Sequence, residues 1–402
     1  MGNTNNPKVL LVPAWYPASF FTEQMRLVDD AFEFKVLIGA KHDLGQKKAL
    51  KKIFLGKFQQ FTWIENKSIS ENTEIINVDY LYVNSLSSYF ERRQYKYLNR
   101  CFENEFQELI KTGWKPDLIH IQSLSDTAVF ICNWAEKRNI PVILTEHIIY
   151  IRRKFDFFQK EKERVYSQVN KVLCVSNYLY RNLLTNGLNI SNAEVIGNLV
   201  DDSLIPEVFE TIQKNNKILF VANHLHDKDI DILLEATKLL NDRNICDFFI
   251  DIVGIDPLIY YQNGNIENFN LIEVLSDYQL HNINVLGVKT RQELLRIYKE
   301  YNFLISTSLS ETFGLAPAEA IINGLPVVCT DSGGPRDFID DSNGIIVPIR
   351  DPKALGDAIV KMLHNLSNYN GKQISDEIRK RFGVKAFTES ITREYRSAIY
   401  DK

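Results

Sequence analysis

Short apolar runs alternate along this chain with segments whose apolar residues recur at helical spacing. Runs at 8–12, 34–38, 117–122, 141–145, 171–175, 217–222, 248–253, 283–286, 303–305 and 326–329 predict strands. Segments 21–32 and 89–110 predict helices. Capping chemistry predicts others. Ser125 can cap a helix through Lys137, and Ser176 one that Gly187 ends. Thr290 and Glu293 form a capping box, Asp351-Pro352 opens a helix, and 385–400 is the last. A helix begins at Ile230, where Asp229 and Asp231 are read as acidic caps rather than as a D-x-D metal motif. Strands and helices in alternation predict an α/β architecture with parallel sheets.

The run at 303–305 leads into the densest chemistry of the chain, Ser306-Thr307-Ser308-Leu309-Ser310-Glu311-Thr312-Phe313-Gly314-Leu315-Ala316-Pro317-Ala318-Glu319. A glycine, then an apolar segment with Pro317 in its first turn, predicts a helix that Gly324 stops. Glu311 falls in the loop and Glu319 on the helix. The N–H groups of Phe313, Gly314, Leu315 and Ala316 are left free at the helix N-terminus. Free donors and the helix dipole make an anion site suited to phosphate. Carboxylates repel phosphate but accept strongly from hydroxyl groups. Phosphates flanked by hydroxyl-rich groups describe a nucleotide sugar.

Glu311, seven residues and then Glu319 would be a weak signal alone. Here Thr312-Phe313-Gly314 stands between them, with Gly324-Leu325-Pro326-Val327-Val328 and Ser332-Gly333-Gly334 after them. This combination resembles the donor site of retaining glycosyltransferases of the GT-B fold. It is similar to glycosyltransferase family 4, especially its bacterial members that build surface polysaccharides. The resemblance implies two Rossmann-like α/β/α domains facing each other across a cleft. An N-terminal acceptor-side domain would cover 1–210, with a helix at 385–402 packing back on it. A C-terminal nucleotide-sugar domain would cover 211–384.

The resemblance also implies chemistry. A sugar moves from a nucleoside diphosphate, with UDP favoured, to a hydroxyl of a glycan or lipid-linked acceptor, and its anomeric configuration is retained. Glu319 would accept from the ribose hydroxyls and Glu311 from a hydroxyl of the donor sugar. Lys228 and the 313–316 amides would hold the diphosphate, with Thr312, Phe313, Gly314, Leu315, Gly333 and Gly334 around the donor. His147, at the end of the run at 141–145, resembles the family histidine that faces the donor sugar, and ligands collect at such strand ends. His120 is left structural. No metal or cofactor is implied, because Lys228 and the helix N-terminus already supply positive charge.

The chain departs from the family pattern in three places. Asn223 stands where an Arg is usual, Asp337 where Glu is common, and the loop from Pro17 to Glu23 lacks the family's glycine. A catalytically inactive relative acting as a binding or scaffold partner is therefore the alternative. Retention of Glu311, Glu319 and Lys228 argues for the enzyme. A phosphorylase or sugar-nucleotide epimerase on the same fold is a further alternative. Length disfavours a pyridoxal-phosphate phosphorylase, and the lack of G-x-G-x-x-G after a strand disfavours a nicotinamide dehydrogenase.

Composition adds limits. A chain of 402 residues predicts about two domains, and 45% hydrophobic content suffices for large cores. A net charge of −4 carries no nucleic-acid signature. Cys101, Cys132, Cys174, Cys246 and Cys329 are scattered without a C-x-x-C pair, which predicts reduced, buried thiols in a cytosolic protein. The first six residues lack the features of a signal peptide, and no apolar run is long enough to span a bilayer. Between 47 and 61, Leu50, Ile53, Phe54, Phe58 and Phe61 fall at helical spacing, with Lys47, Lys48, Lys51 and Lys52 at one end. Such a helix either lies on an anionic membrane surface or packs on its own domain.

Overall fold

The computed structural model describes residues 6–13, 24–28, 30–43, 73–82, 88–152, 159–203, 205, 209, 216–222, 228–257, 261–262, 265–266 and 270–401. Asn223, the segment 47–61 and the loop from Pro17 to Glu23 lie outside the described residues. The chain divides into two compact units. The first comprises Met1–Val175, Leu179–Ile196 and Thr388–Lys402, the second Ser176–Tyr178 and Gly197–Phe387.

The first unit is built on a parallel sheet of β1 (Lys8–Pro13), β2 (Glu33–Asp43), β3 (Thr73–Tyr82), β4 (Leu118–Gln122), β5 (Val142–Glu146), β6 (Lys171–Cys174) and β7 (Ala193–Val195). Its strands lie in the order β3-β2-β1-β4-β5-β6-β7, every pair parallel. β4 and β5 are buried at every position, as strands are when helices cover both faces. The helix Asp126–Glu136 begins as its cap predicts, with Ser125 accepting from the Ala128 amide. Phe106 of the helix Ser88–Lys111 stacks on Trp134 with ring centroids 4.0 Å apart. That contact packs the two helices against each other.

The second unit repeats the plan with β8 (Lys217–Val221), β9 (Phe249–Val253), β12 (Ile283–Val285), β13 (Phe303–Ser306), β14 (Val327–Thr330) and β15 (Gly344–Val347). The order is β12-β9-β8-β13-β14-β15, again all parallel, beside a two-stranded hairpin of β10 (Tyr261–Gln262) and β11 (Asn265–Ile266). Counting only the strands of each main sheet, both run third, second, first, fourth, fifth, sixth, the order of doubly wound nucleotide-binding folds, and the first adds β7 as a seventh. The expected pair of Rossmann-like α/β units is present.

Several local expectations need correction. The segment 21–32 is helical only at 24–26 among its described residues, and turns carry the chain on to Phe32. β3 was not anticipated. It is the sheet edge, and its sequence Thr-Glu-Ile-Ile-Asn-Val-Asp-Tyr-Leu-Tyr interrupts the apolar run that marks interior strands. The helix Gln159–Gln168 was also missed, because only Val165 and Tyr166 of its polar sequence are buried. Asp229 occupies the N-cap of the helix Ile230–Asp242, but with φ 44° its side chain makes no capping hydrogen bond. Cys132, Cys174 and Cys329 are buried thiols, whereas Cys246 is exposed. Among the described residues no helix is long and apolar enough to cross a membrane.

Candidate functional site

In the second sheet β8 and β13 are hydrogen-bonded neighbours, yet β9 to β12 and the helices among them lie between the two in sequence. The strand order reverses between them, and ligands of open α/β sheets collect at such points, beyond the carboxyl ends of the strands. Lys228 follows β8 and Glu311 follows β13. Their side chains meet as an ion pair, with 17% and 18% of their surfaces exposed. The Glu311 carboxylate also accepts from Ser308 Oγ at 2.7 Å. Thr307 Oγ1 donates to the Lys228 carbonyl, and Thr330 Oγ1 donates to that of Ser308 at 2.6 Å. The hydroxylic run thus ties its own loop to β14 and to the start of the Ile230 helix.

Glu311 is further held by its backbone. Its N–H donates to Ser332 O and its carbonyl accepts from Gly334 N–H, both at 2.8 Å. Gly333 has φ 111°, and a Cβ on Gly334 would lie 2.4 Å from the Thr312 carbonyl oxygen. The glycines were expected to admit a ligand. Their immediate effect is to let the 332–334 loop close on Thr312 and Glu311, where any side chain would push it away.

The helix Leu315–Ile322 starts from Gly314, whose φ of 95° turns the chain into it. Ala318 N–H donates to Gly314 O at 3.1 Å. The amides of Leu315 and Ala316 precede the first donor of the helix, and Pro317 has none, so this end presents N–H groups rather than filled bonds. Phe313 contributes only backbone here. Its ring is buried against Phe338 and Phe382, at centroid distances of 5.3 and 5.1 Å. Truncating such a ring costs ~3–5 kcal/mol, so the loop conformation is anchored from beneath.

Glu319 lies farther along the same helix and has different partners. The Tyr298 hydroxyl donates to its Oε2 at 3.1 Å, and the Arg291 guanidinium is 3.5 Å from its Oε1. The Thr290–Glu293 capping box starts the helix that carries Arg291. Tyr298 is fully buried, and burial together with the Glu319 charge holds its phenol protonated, far above the ordinary tyrosine range. Arg336, another cation near this loop in sequence, is engaged by Asp331 through both Nε and Nη2.

His147 belongs to the first unit. Its Nε2 is 2.6 Å from Gln122 Oε1, and its N–H donates to Ser123 Oγ at 3.2 Å. Beneath it are two sealed groups. His120 is 1% exposed, and burial first, then the nearby His147, pushes it down to about 3. The Glu146 carboxyl is 2% exposed, and burial pushes it up to about 7. Hydrogen bonds from Leu124 N–H at 2.8 Å and Tyr166 Oη at 3.2 Å offset only part of that rise.

The second unit therefore gathers Lys228, Glu311, Gly333, Gly334 and the 312–315 backbone, with Glu319 bonded separately along the helix. Sequence reasoning missed Ser308, Arg291, Tyr298 and Gln122, the side chains that orient the expected ones. Ser308, three residues before Glu311, was the findable one. The others are distant in sequence from what they hold.

Residues 201–382 match the family model described as glycosyl transferases group 1, and residues 71–204 match that of Glycosyltransferase Family 4. An uncharacterized glycosyltransferase of Methanocaldococcus jannaschii is 30% identical over 275 residues, 66% of this chain and 68% of that protein. The poly(ribitol-phosphate) alpha-N-acetylglucosaminyltransferase of Staphylococcus aureus is 25% identical over 252 residues, which span 61% of this chain but only 46% of that one. Among solved structures, HepE of Anabaena in complex with UDP superposes with a TM-score of 0.68 at 16% identity, covering 97% of this chain and all of HepE's, 100%.

Proposed function

Since the chain belongs to the glycosyltransferases of the GT-B fold, we propose that it is a retaining, metal-independent enzyme using a UDP-sugar. The acceptor is a hydroxyl of a glycan or lipid-linked saccharide in bacterial polysaccharide synthesis. The observation that carries this reading is the Lys228–Glu311 pair at the β8–β13 reversal, beside the amide-bearing end of the Leu315 helix. Cation and amides suit a diphosphate, and the carboxylate suits a sugar hydroxyl. The UDP bound by HepE and the acceptor named for the staphylococcal relative agree with it.

In this mechanism Glu319, oriented by Tyr298 and Arg291, accepts from the ribose hydroxyls. Glu311 accepts from a hydroxyl of the transferred sugar, and His147 supports that sugar. As the glycosidic bond to the diphosphate breaks, negative charge grows on the leaving phosphate. Lys228 and the 313–316 amides stabilise it at a site where water is partly excluded. The leaving phosphate takes the acceptor proton on the same face of the sugar, so the configuration is retained.

A thermal-shift panel of UDP, GDP and ADP sugars tests the reading, because a ligand that binds only the folded state raises the melting temperature. The UDP series should give the largest shift. Stabilisation by a guanine or adenine series alone would reassign the base. Binding without transfer to any acceptor would favour the inactive partner that the Asn223 departure allows.

A further inference from the structure

Gln122, the last residue of β4, stands between two histidines. Its Oε1 lies 2.6 Å from His147 Nε2, and its Nε2 lies 3.3 Å from His120 Nε2. His120 Nε2 is also 2.7 Å from Thr145 Oγ1, and its Nδ1 is 2.6 Å from the Tyr395 hydroxyl. Tyr395 is held in place by Phe32, edge-on at a centroid distance of 5.2 Å. Gln122 and Tyr395 are each 3% exposed, so the His120 end of this set is sealed from solvent, whereas His147 is half-buried.

With the Gln122 amide oriented as found, its oxygen toward His147 and its nitrogen toward His120, the donors and acceptors of this set close in one way. An amide oxygen only accepts, so His147 Nε2 carries a proton. An amide nitrogen only donates, so His120 Nε2 offers a lone pair, which the Thr145 hydroxyl shares. His120 then holds its single proton on Nδ1 and donates it to Tyr395. Because His120 is kept neutral by burial, it does not change its role over the working pH range.

We propose that Gln122 is a positioning residue that holds His147 in the Nε2–H tautomer, which makes Nδ1 the ring acceptor for a hydroxyl of the transferred sugar. This rests on the reading of His147 as sugar-facing. The consequence is selectivity: an acceptor nitrogen favours a sugar that brings a hydroxyl donor there, whereas the other tautomer would present an N–H.

The test is long-range proton–nitrogen correlation NMR on the full chain labelled with ¹⁵N-histidine. It is read beside turnover of UDP-glucose, UDP-galactose or UDP-N-acetylglucosamine, whichever gives the largest thermal shift. At pH 8 His147 should be protonated on Nε2 and His120 on Nδ1. Gln122→Met fills the same space without an acceptor. It should mix the His147 tautomers and lower kcat roughly ten- to a hundredfold with KM little changed. Gln122→Glu keeps an acceptor, so it should restore the Nε2–H tautomer and raise the pH at which His147 titrates. Melting curves confirm that each variant is folded. His147 protonated on Nδ1 in the unaltered protein, or an unmoved tautomer in Gln122→Met, overturns the proposal. Mixed tautomers with undiminished kcat overturn instead the reading of His147 on which it rests.

Discussion

One polar cluster in each unit, that around Glu311 and that around His120, is kept in the opposite state to the other. Around Glu311 the groups are charged, paired and partly exposed, at 17% and 18% for the pair itself. Around His120 they are neutral and sealed, with Tyr395, Thr145 and Gln122 taking its hydrogen bonds. A charge buried alone costs several kcal/mol, so a group that must stay ionised has to keep a counter-ion or water in reach. A group that must only hold direction does better neutral and dry, where hydrogen bonds are stronger and no solvent competes. The Glu311 cluster is arranged for electrostatics, the His120 cluster for orientation.

The largest effect should come from breaking the charged side. Lys228→Ala should reduce single-turnover transfer by roughly a hundred- to a thousandfold, because a preorganised donor to the developing phosphate charge is lost. Glu311→Ala should also fall chiefly on turnover. Lys228→Met with Glu311→Gln, which removes both charges, should recover melting temperature relative to Lys228→Met alone, but not activity. Near-normal transfer by Lys228→Ala would remove the electrostatic half of the comparison.

The sealed side should answer to pH. The Glu146 carboxyl is pushed up to about 7 from an ordinary 4.5, so the fold favours its protonated form. Its stabilising contribution is full below pH 4.5 and is lost as pH rises through about 7, a change of at most ~3 kcal/mol. His120 works in the other direction. It is pushed down to about 3 from 6.5, so its contribution is full above pH 6.5 and is lost as pH falls toward 3. Between about pH 4.5 and 6.5 the two slopes oppose each other. Glu146→Gln should therefore melt higher than the unaltered protein at pH 8 and lose that advantage by pH 5. Parallel melting curves across that range would show that Glu146 is not held protonated.

Glu319→Ala should be milder than Lys228→Ala. It removes acceptors for the ribose hydroxyls and leaves Tyr298 and Arg291 without their carboxylate. UDP binding by calorimetry should weaken about ten- to a hundredfold, with kcat changed less. Equal losses in binding and turnover would merge its role with that of Glu311. Smallest of all is the effect expected from excess chelator, which should leave transfer intact because Lys228 and the helix amides supply the positive charge. Loss of activity rescued by Mg²⁺ or Mn²⁺ would add a cation to the charged side.

Legibility in the sequence followed the same division. The interior strands β1, β4, β5, β6, β8, β13 and β14 were readable because strands covered on both faces carry near-continuous apolar runs, broken chiefly at their carboxyl ends. β3 at the edge and the polar helix Gln159–Gln168 were not, since neither carries a continuous apolar signal. In the second unit the expected site was readable because one loop and one helix contain most of it, from Ser306 to Glu319. Short-range geometry, a glycine turn and a helix N-terminus, is encoded locally. The capping box at Thr290–Glu293 was legible for the same reason, although nothing in it announced that Arg291 would meet Glu319.

The chain by itself determined the alternation of strands and helices, the Glu311–Glu319 spacing, the glycines at 333 and 334, and the family resemblance built on them. Only the folded structure decided that Lys228 closes on Glu311, that Tyr298 and Arg291 hold Glu319, and that Gln122 joins His147 to His120 and Tyr395. The reason is the sheet. Parallel strands that lie side by side are separated in sequence by whole crossover helices, so residues at their carboxyl ends meet only after the crossovers are packed. His120 and Tyr395 stand 275 positions apart yet touch at 2.6 Å, because the last helix packs against the strand that carries the histidine. No local pattern of hydrophobic and polar residues records such a meeting.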